Sequence, residues 1–190
     1  MIILKPIILQ KAVSTVIAPH GITDLIHANQ HNITSELLQI NGFTLVYSHV
    51  LHFTDQNVLA TLFLLSSIIH FRHDMPRVFG IPRFIWSSLL ISLFSAYNIA
   101  FFPFMVLLHV PNHYRINWRF IKKNLTRNIQ FLFLFTIFSS FLGDYIFDNL
   151  LTGYVVDMAK GIVIAHIIYE ELHIHKDLPL LSIGNKTMDD

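Results

Sequence analysis

The chain contains 190 residues, of which 53% are hydrophobic and only 13% are charged. Soluble domains carry about 25% charged residues, so this composition predicts a membrane-embedded protein rather than a soluble enzyme. A net charge of +1, with the basic residues in short clusters, excludes an extended nucleic-acid-binding surface. The absence of cysteine excludes disulfides, iron–sulfur clusters and thiolate zinc sites, which leaves nitrogen and oxygen as metal ligands.

The first half of the chain alternates apolar and polar stretches, and a membrane-spanning helix needs about 20 mostly apolar residues. The pattern predicts, in order, a span at residues 6–28, a polar connection at 29–41, two helices at 42–53 and 57–71, and a loop at 72–83. The apolar N-terminus has neither a long basic region nor a small-residue cleavage site. We therefore expect the first span to be retained rather than removed as a signal peptide.

The second half predicts a long apolar run at residues 84–110, a basic segment at 112–128, a span at 129–151 and a last helix at 154–174. The two basic segments predict loops on one side of a membrane, so the run between them would form a broken or re-entrant hairpin near residues 98–103. The predicted fold is an all-α, polytopic transmembrane bundle of about six to seven helices, integral and multi-pass. It would form a single domain over residues 1–176, followed by a polar C-terminal tail at 177–190.

Twelve histidines stand out in so apolar a chain, and several of them end or interrupt apolar runs. A buried polar group without a hydrogen bond costs about 1–3 kcal/mol, so such histidines need partners. Neutral imidazole is also the commonest metal ligand in proteins. The sequence therefore predicts a metal centre buried within the helices.

Three stretches supply the candidate metal ligands, which are His20, His70, His109 and His113. His109 and His113 are four residues apart, a spacing that places two imidazoles on one helical face. A structural histidine bonded to a nearby carbonyl is the alternative for each position taken alone. Four candidates from separated stretches, each reached through an apolar approach, favour the metal centre.

Two aspartates have the spacing of groups that orient ligating histidines. Asp24 follows His20 by four residues, and Asp74 follows His70 by four residues. On a helix each pair would share one face, so the carboxylate could accept the second ring N–H and fix the tautomer. Asp24 and Asp74 are therefore predicted to form the outer shell of the centre.

Four further side chains are auxiliary candidates for the same centre, namely His49, His52, His166 and Glu170. His166 and Glu170 are four residues apart and fit either metal ligation or proton transfer, although polar groups at a helix end bonding one another explain them equally well. His175 lies in the polar tail, where we expect it to be solvated, and His31 lies in a polar loop and needs no special role.

Three motifs resemble, in order, those of the Brp/Blh family of microbial integral-membrane β-carotene 15,15′-dioxygenases. They are Pro-His-Gly-Ile-Thr-Asp at residues 19–24, Ser-Ile-Ile-His-Phe at 67–71 with Asp74, and His-Val-Pro-Asn-His-Tyr at 109–114. The resemblance covers roughly residues 15–115. The chain is shorter than typical members, and Arg72 stands where the family tends to have glycine after His-Phe.

The resemblance implies an activity and a cofactor. Members of the family cleave β-carotene at its central double bond with O₂, giving two retinal molecules, and use Fe²⁺ held by four histidines. In this chain those positions fall on His20, His70, His109 and His113. The implied partners are β-carotene or a related carotenoid, O₂, the lipid bilayer and a retinal-binding acceptor protein.

Two other readings stay open on the sequence alone. A di-iron fatty-acyl desaturase or hydroxylase also uses histidine boxes, but this chain has no adjacent His-His pair. A non-enzymatic metal or proton transporter, or an adaptor, would use intramembrane ionisable residues, for which Asp24, Asp144, Asp157 and Glu170 are candidates.

Overall fold

The fold is described by a computed structural model over residues 20–75, 81–96, 103–149 and 153–175. These residues are almost entirely helical, in agreement with the predicted all-α class. The α-helices in chain order are α1 (Ile22–His31), α2 (Thr34–Thr54), α3 (Gln56–Phe71), α4 (Arg83–Ala96), α5 (Val110–Ile121), α6 (Leu125–Asn149) and α7 (Gly153–Tyr169). A π-helical turn (Met105–His109) precedes α5, a 3₁₀ turn (Lys122–Asn124) precedes α6, and a second π-helical turn (Glu170–Ile174) follows α7.

The predicted polytopic transmembrane bundle, and with it the integral multi-pass assignment, is wrong. Within the described ranges, no helix combines the length and the apolar character needed to cross a bilayer. Helix α3 has only 16 residues, below the roughly 17–25 that a span needs. Helix α2 has 21 residues, but polar side chains such as Asn41, His49 and His52 interrupt it.

Several predicted segments fall partly or wholly outside the described residues. They are most of the first span at residues 6–28, the turn of the hairpin near 98–103, and the polar tail at 177–190. Two predicted connections within the described ranges are largely helical instead. The polar connection at residues 29–41 contains the end of α1 and the start of α2, and the basic segment at 112–128 contains most of α5 and the start of α6.

Local signals explain where the first helices end and begin. Asn32 adopts a left-handed conformation with φ of 59°, and its N–H bonds the carbonyl of Ala28, which closes α1. The Asp55 carboxylate accepts the N–H groups of Asn57 and Val58, so it caps α3 at the junction predicted from the sequence. Pro111 is the second residue of α5, directly after the π-helical turn Met105–His109, and it has no N–H to donate to that turn.

Helix α7 packs along α2 and also contacts α3. Gly161 of α7 makes the close approach to α2 possible, because a Cβ placed there would lie 2.5 Å from Ser48 Oγ and 3.2 Å from the carbonyl oxygen of Thr44. Helix α1 contacts both α2 and α5, and α3 contacts α4. These contacts bring the beginning of α1 and the ends of α3 and α7 toward α5.

Two apolar clusters border the region where these helices meet. The first contains Phe71, Met75, Ile91, Phe104 and Met105. Phe71 follows His70 in the chain, and its ring centroid lies 4.9 Å from that of His109. The second contains Ala28, Leu37, Tyr169 and Ile174, next to Glu170. The polar residues between the two clusters are consequently removed from water.

Candidate metal centre

Five histidines from four parts of the chain meet in one buried cluster. His20 lies two residues before the start of α1, and His70 lies in the last turn of α3. His109 ends the first π-helical turn and His113 follows in α5, while His166 lies near the end of α7. The structure thus brings together the four predicted ligands and one of the auxiliary histidines, His166.

His20, His109 and His113 form a compact group of donors. Their ligand nitrogens all lie within 4.8 Å of one another. The ring centroids of His109 and His113 are 4.3 Å apart, as the four-residue spacing predicts, and that of His20 lies 5.3 and 5.0 Å from them. The hydroxyl of Thr23 donates to the carbonyl of His20 at 2.7 Å, which fixes the chain where it enters α1.

A second group consists of His70, His113, His166 and Glu170, whose ligand atoms also lie within 4.8 Å of one another. Glu170 begins the second π-helical turn and has no exposed surface. Its Oε1 lies 3.0 Å from Nδ1 of His113, and its Oε2 lies 3.8 Å from Nδ1 of His70 and 4.0 Å from Nε2 of His166. Turns of the π type are frequent at functional sites, and here each of the two contributes a donor.

Buried aspartates hold two of the histidines from outside the cluster. Asp74 Oδ2 accepts the N–H at Nδ1 of His109 at 2.6 Å, and Asp24 Oδ2 accepts that of His166 at 2.6 Å. The predicted outer-shell aspartates are thus beside the cluster, but their partners differ from the predicted ones, His70 and His20. Because Nδ1 is engaged in each case, Nε2 of His109 and His166 remains for the cluster.

Burial determines the protonation of the cluster. It lowers the pKa of His70 and of His113 well below the usual value for histidine, and neighbouring imidazoles add to the effect. Both rings are therefore neutral, which is the form that binds metal. Burial also raises the pKa of Asp24 to about 7. Burial alone would lower the pKa of His166, but the charges of Asp24 and Glu170 outweigh it and raise that pKa to about 9, so a metal ion would have to displace a proton from His166 to bind its Nε2.

Several of these buried atoms make no hydrogen bond within the described part of the chain. They are Nδ1 and Nε2 of His70, Nδ1 of His113, Nε2 of His166 and both carboxylate oxygens of Glu170. The 3.0 Å approach between His113 and Glu170 lacks hydrogen-bond geometry. Each unsatisfied buried group costs about 1–3 kcal/mol, and a cation would satisfy several of them at once. The buried histidines and Glu170 can therefore hold a metal ion.

The auxiliary candidates divide between two places. His166 and Glu170 belong to the cluster, whereas His49 and His52 of α2 face another part of α7. His49 bonds the hydroxyl of Tyr154 at 3.1 Å, and His52 bonds Asp157 at 2.8 Å. Asp157 precedes His166 by nine residues, about 13 Å along the helix, so His49 and His52 are remote from the cluster.

The prediction that His175 is solvated is wrong, since this residue is only 8% exposed. Its ring packs 3.8 Å from that of His73, and both histidines bond Oε1 of Glu171, at 3.2 and 2.9 Å. His70, Glu171 and His175 form a third group of donors. The four-residue spacing of Glu171 and His175 repeats that of His166 and Glu170. This repeat is the signal in the sequence that could have revealed the third group of donors.

Comparison with known proteins gives no family for the chain: no family model, no curated protein and no solved structure matches it. The resemblance to the Brp/Blh family therefore depends on the three histidine motifs themselves.

Proposed function

We propose that the chain is a metal-dependent oxygenase that cleaves β-carotene, or a related carotenoid, at its central double bond with O₂. The observation that carries this proposal is the convergence of His20, His70, His109 and His113 in one buried cluster. These are the positions that the resemblance to the Brp/Blh family marks, and they come from distant stretches of the chain. Structural histidines with unrelated roles would have no reason to gather around a common point.

The chemistry of the donors favours Fe²⁺ as the ion. Imidazole and carboxylate without thiolate form the ligand set typical of non-haem iron oxygenases. When bound, iron would supply the position at which O₂ is activated. The chain itself would orient the ligands through Asp74 and Asp24 and exclude water, since His70 and His109 are only 2% and 1% exposed. Exclusion of water protects reactive oxygenated species from side reactions.

An apolar cleft beside the cluster supports an apolar substrate. The cleft has a volume of about 190 Å³, below the roughly 300–1,000 Å³ usual for ligand pockets, so it would take only a segment of an apolar chain. Leu25, Leu37, Phe135 and Ile162 contribute its apolar walls. His166 also lines it, so the cleft extends from the surface to a residue of the cluster. Apolar walls with a few polar groups at one point are usual for sites that bind such molecules.

Cleavage gives each of the two carbons of the double bond one oxygen atom of O₂, so no further reductant is required.

Expression of the full chain in β-carotene-producing bacteria tests the activity directly. We expect loss of the orange pigment and accumulation of retinal, together with iron in the purified protein. The His109→Ala variant should abolish cleavage, because it removes a donor of the cluster. His31, an exposed residue of α1, provides the matched control, and His31→Ala should leave pigment loss nearly unchanged.

Three outcomes would contradict the proposal. Purified protein without any transition metal would remove its basis. Equal damage by His31→Ala and His109→Ala would show that the histidines of the cluster have no special role. Unchanged pigment with bound iron would exclude carotenoid cleavage and favour the di-iron acyl-chain chemistry considered from the sequence.

A further inference from the structure

We propose that the outward side of α5, together with the turn that follows it, binds the surface of a bilayer that contains anionic phospholipid. This side consists of Arg115, Trp118, Arg119, Lys122 and Lys123, and we call it the basic face. Binding at a lipid surface requires no helix that crosses the bilayer. It is also independent of the proposed function, because neither a metal ion nor a carotenoid takes part in it.

Helix α5 has two opposite sides of different character. Its buried side carries His113, Asn117 and Phe120. On the other side, exposed residues recur every three or four positions, which is the spacing of one helical face. They are Pro111, Arg115, Trp118 and Lys122, with Arg119 beside them. The helix therefore holds a histidine of the cluster on one side and presents the basic face to the outside on the other.

The positive charge of this region is not compensated by carboxylates. Residues 103–143 contain five lysine and arginine residues and no aspartate or glutamate. In the part of the chain that the structure describes, lysine and arginine form ion pairs only at Arg72 and Lys160, which lie outside this range. Groups of about four to eight basic residues on an amphipathic helix are typical of segments that bind anionic lipids.

Two of these cations are held in place by neutral groups. Arg115 donates from Nε and Nη2 to the side-chain oxygen of Asn112, at 3.2 and 2.7 Å. The guanidinium of Arg119 lies over the ring of Phe120, 4.6 Å from its centroid. Neither contact removes charge, so both guanidinium groups are positioned at the surface and remain available to phosphate.

Exposed apolar side chains accompany the charges. Trp118 is 51% exposed, and Leu107, in the π-helical turn before α5, is 70% exposed. Leu108 beside it and Leu125 at the start of α6 are exposed as well. Tryptophan is enriched where membrane meets water, and binding to a bilayer surface strengthens with both apolar area and attraction to anionic lipids. The combination matches a surface on which phosphate groups cover hydrocarbon.

Two other occupants fit this face less well. A second copy of the chain, paired about a two-fold axis, would place identical basic faces against each other, and like charges repel. A nucleic acid would neutralise the cations, but its phosphates would leave the exposed side chains of Leu107 and Leu108 uncovered. Anionic lipid satisfies the charged and the apolar side chains together.

Flotation of the purified full chain with lipid vesicles tests the proposal. Vesicles of phosphatidylcholine alone would be compared with vesicles of phosphatidylcholine and phosphatidylglycerol in equal amounts. We expect much stronger binding to the mixed vesicles, and weaker binding as salt is added, because salt screens exposed charges.

Charge-removing variants locate the binding surface. Lys122→Gln should lower the partition coefficient for mixed vesicles about fivefold, the usual contribution of one basic residue at an anionic surface. The triple variant Arg119→Gln/Lys122→Gln/Lys123→Gln should lower it about 100-fold. Lys160→Gln is the matched control, because Lys160 lies on α7 and is paired with Asp157, and it should leave the partition coefficient unchanged. Circular dichroism of each variant would establish that the helices are retained.

Tryptophan fluorescence gives a second readout. The chain has two tryptophans, so Trp86→Phe leaves Trp118 as the only one. Its emission should move to shorter wavelength when mixed vesicles are added, because the indole leaves water. Trp118→Phe leaves Trp86, which packs against an apolar cluster, and its emission should not move.

Equal binding to both kinds of vesicle, or none to either, would overturn the proposal, as would equal effects of Lys122→Gln and Lys160→Gln. Self-association without vesicle binding, or binding to a duplex oligonucleotide in place of vesicles, would also overturn it. Failure here differs from failure of the proposed function. Retinal production without vesicle binding removes only the lipid-binding role of the basic face, whereas vesicle binding without retinal removes only carotenoid cleavage.

Discussion

The orientation of the cluster histidines depends on single carboxylates. Asp74 receives two hydrogen bonds of 2.6 Å, one from His109 and one from the side-chain amide of Asn112. Together they lower the pKa of Asp74, although burial acts in the opposite direction. The carboxylate is therefore ionised at neutral pH, and a negative charge behind His109 makes its Nε2 a stronger donor.

Asp74→Asn should weaken metal binding without unfolding the chain. The amide is nearly the same size but lacks the charge, and loss of an outer-shell partner typically costs about 10–100-fold in metal affinity. The dissociation constant, measured by competition with a chelating dye, should rise by that factor. Asp55→Asn replaces a carboxylate at the start of α3 that caps the helix, and it should leave the affinity unchanged. Equal affinities for Asp74→Asn and the unmodified protein would contradict this role of Asp74.

The sequence correctly placed Asp24 and Asp74 beside histidines of the cluster but paired them with the wrong ones. The four-residue spacing places two side chains on one face only within a continuous helix. His20 precedes the first residue of α1, and Asp74 lies in a turn beyond the end of α3. Neither predicted pair is therefore within one helix, and the actual partners come from other helices, which spacing cannot reveal. The pair of His109 and His113 was predictable because the helix is continuous between them.

The position of α7 depends on how closely it approaches α2. The hydrogen at Gly161 allows Ser48 to fill the space that a side chain would occupy, and Ser48 is only 1% exposed. Because α7 also carries His166 toward the cluster, the depth of this contact determines where that donor lies. The two helices are joined further along by His52 and Asp157.

Gly161→Ala should destabilise the fold, although alanine favours a helix more than glycine does. The new Cβ would meet the Cβ of Ser48 at 3.0 Å and the carbonyl oxygen of Thr44 at 3.2 Å, so the helices would have to separate. Overpacking of this kind costs about 1–3 kcal/mol. Gly42 of α2 has no atom near its Cβ position, so Gly42→Ala should be neutral or stabilising by up to about 1 kcal/mol. Urea denaturation of both variants measures the difference, and similar stabilities would show that α2 and α7 do not depend on this contact.

The second link between α2 and α7 should depend on pH. Asp157 accepts from His52 at 2.8 Å and from Lys160 at 2.6 Å, and these bonds lower its pKa despite burial. A carboxylate whose pKa is lower in the folded state stabilises the fold above its unfolded pKa, and this contribution is lost as the pH falls through the folded pKa.

Asp157→Asn should therefore reduce the free energy of unfolding at pH 7 by about 1–3 kcal/mol, the value of hydrogen bonds to a charged group. The difference between variant and unmodified protein should shrink below about pH 4, where Asp157 is protonated in the unfolded chain. Urea denaturation at pH 7 and near pH 3 measures this change. A difference that is the same at both pH values would show that the charge of Asp157 does not stabilise the fold.

At the scale of the whole molecule, composition led to the wrong prediction of a transmembrane bundle, whereas the positions of the histidines indicated which of them lie together. Composition counts apolar residues but does not state how long each helix is or which way its side chains face. Large apolar side chains such as Phe43, Leu107 and Phe141 are at least 70% exposed in the structure, while the interior contains imidazoles and Glu170. The histidines that end apolar runs were found because their chemistry conflicts with their surroundings. Glu170 was only an auxiliary candidate, because its place at the centre depends on how α7 packs against α3.

Removal of metal should destabilise the entire chain, because the donors join parts of the sequence as distant as His20 and Glu170. Without a cation, the buried atoms of His70, His166 and Glu170 find no hydrogen-bond partner among the described residues to offset their loss of hydration. An ion present at 100 times its dissociation constant stabilises the folded state by about 2.7 kcal/mol. For a chain of this size, that corresponds to a rise in melting temperature of about 5–10 °C.

Circular dichroism melting of chelator-treated protein with increasing Fe²⁺ measures the shift. The double variant His70→Ala/Glu170→Ala should show a smaller one, since it removes two donors. A melting temperature independent of Fe²⁺ in the unmodified protein would mean that the cluster binds no ion in the folded state.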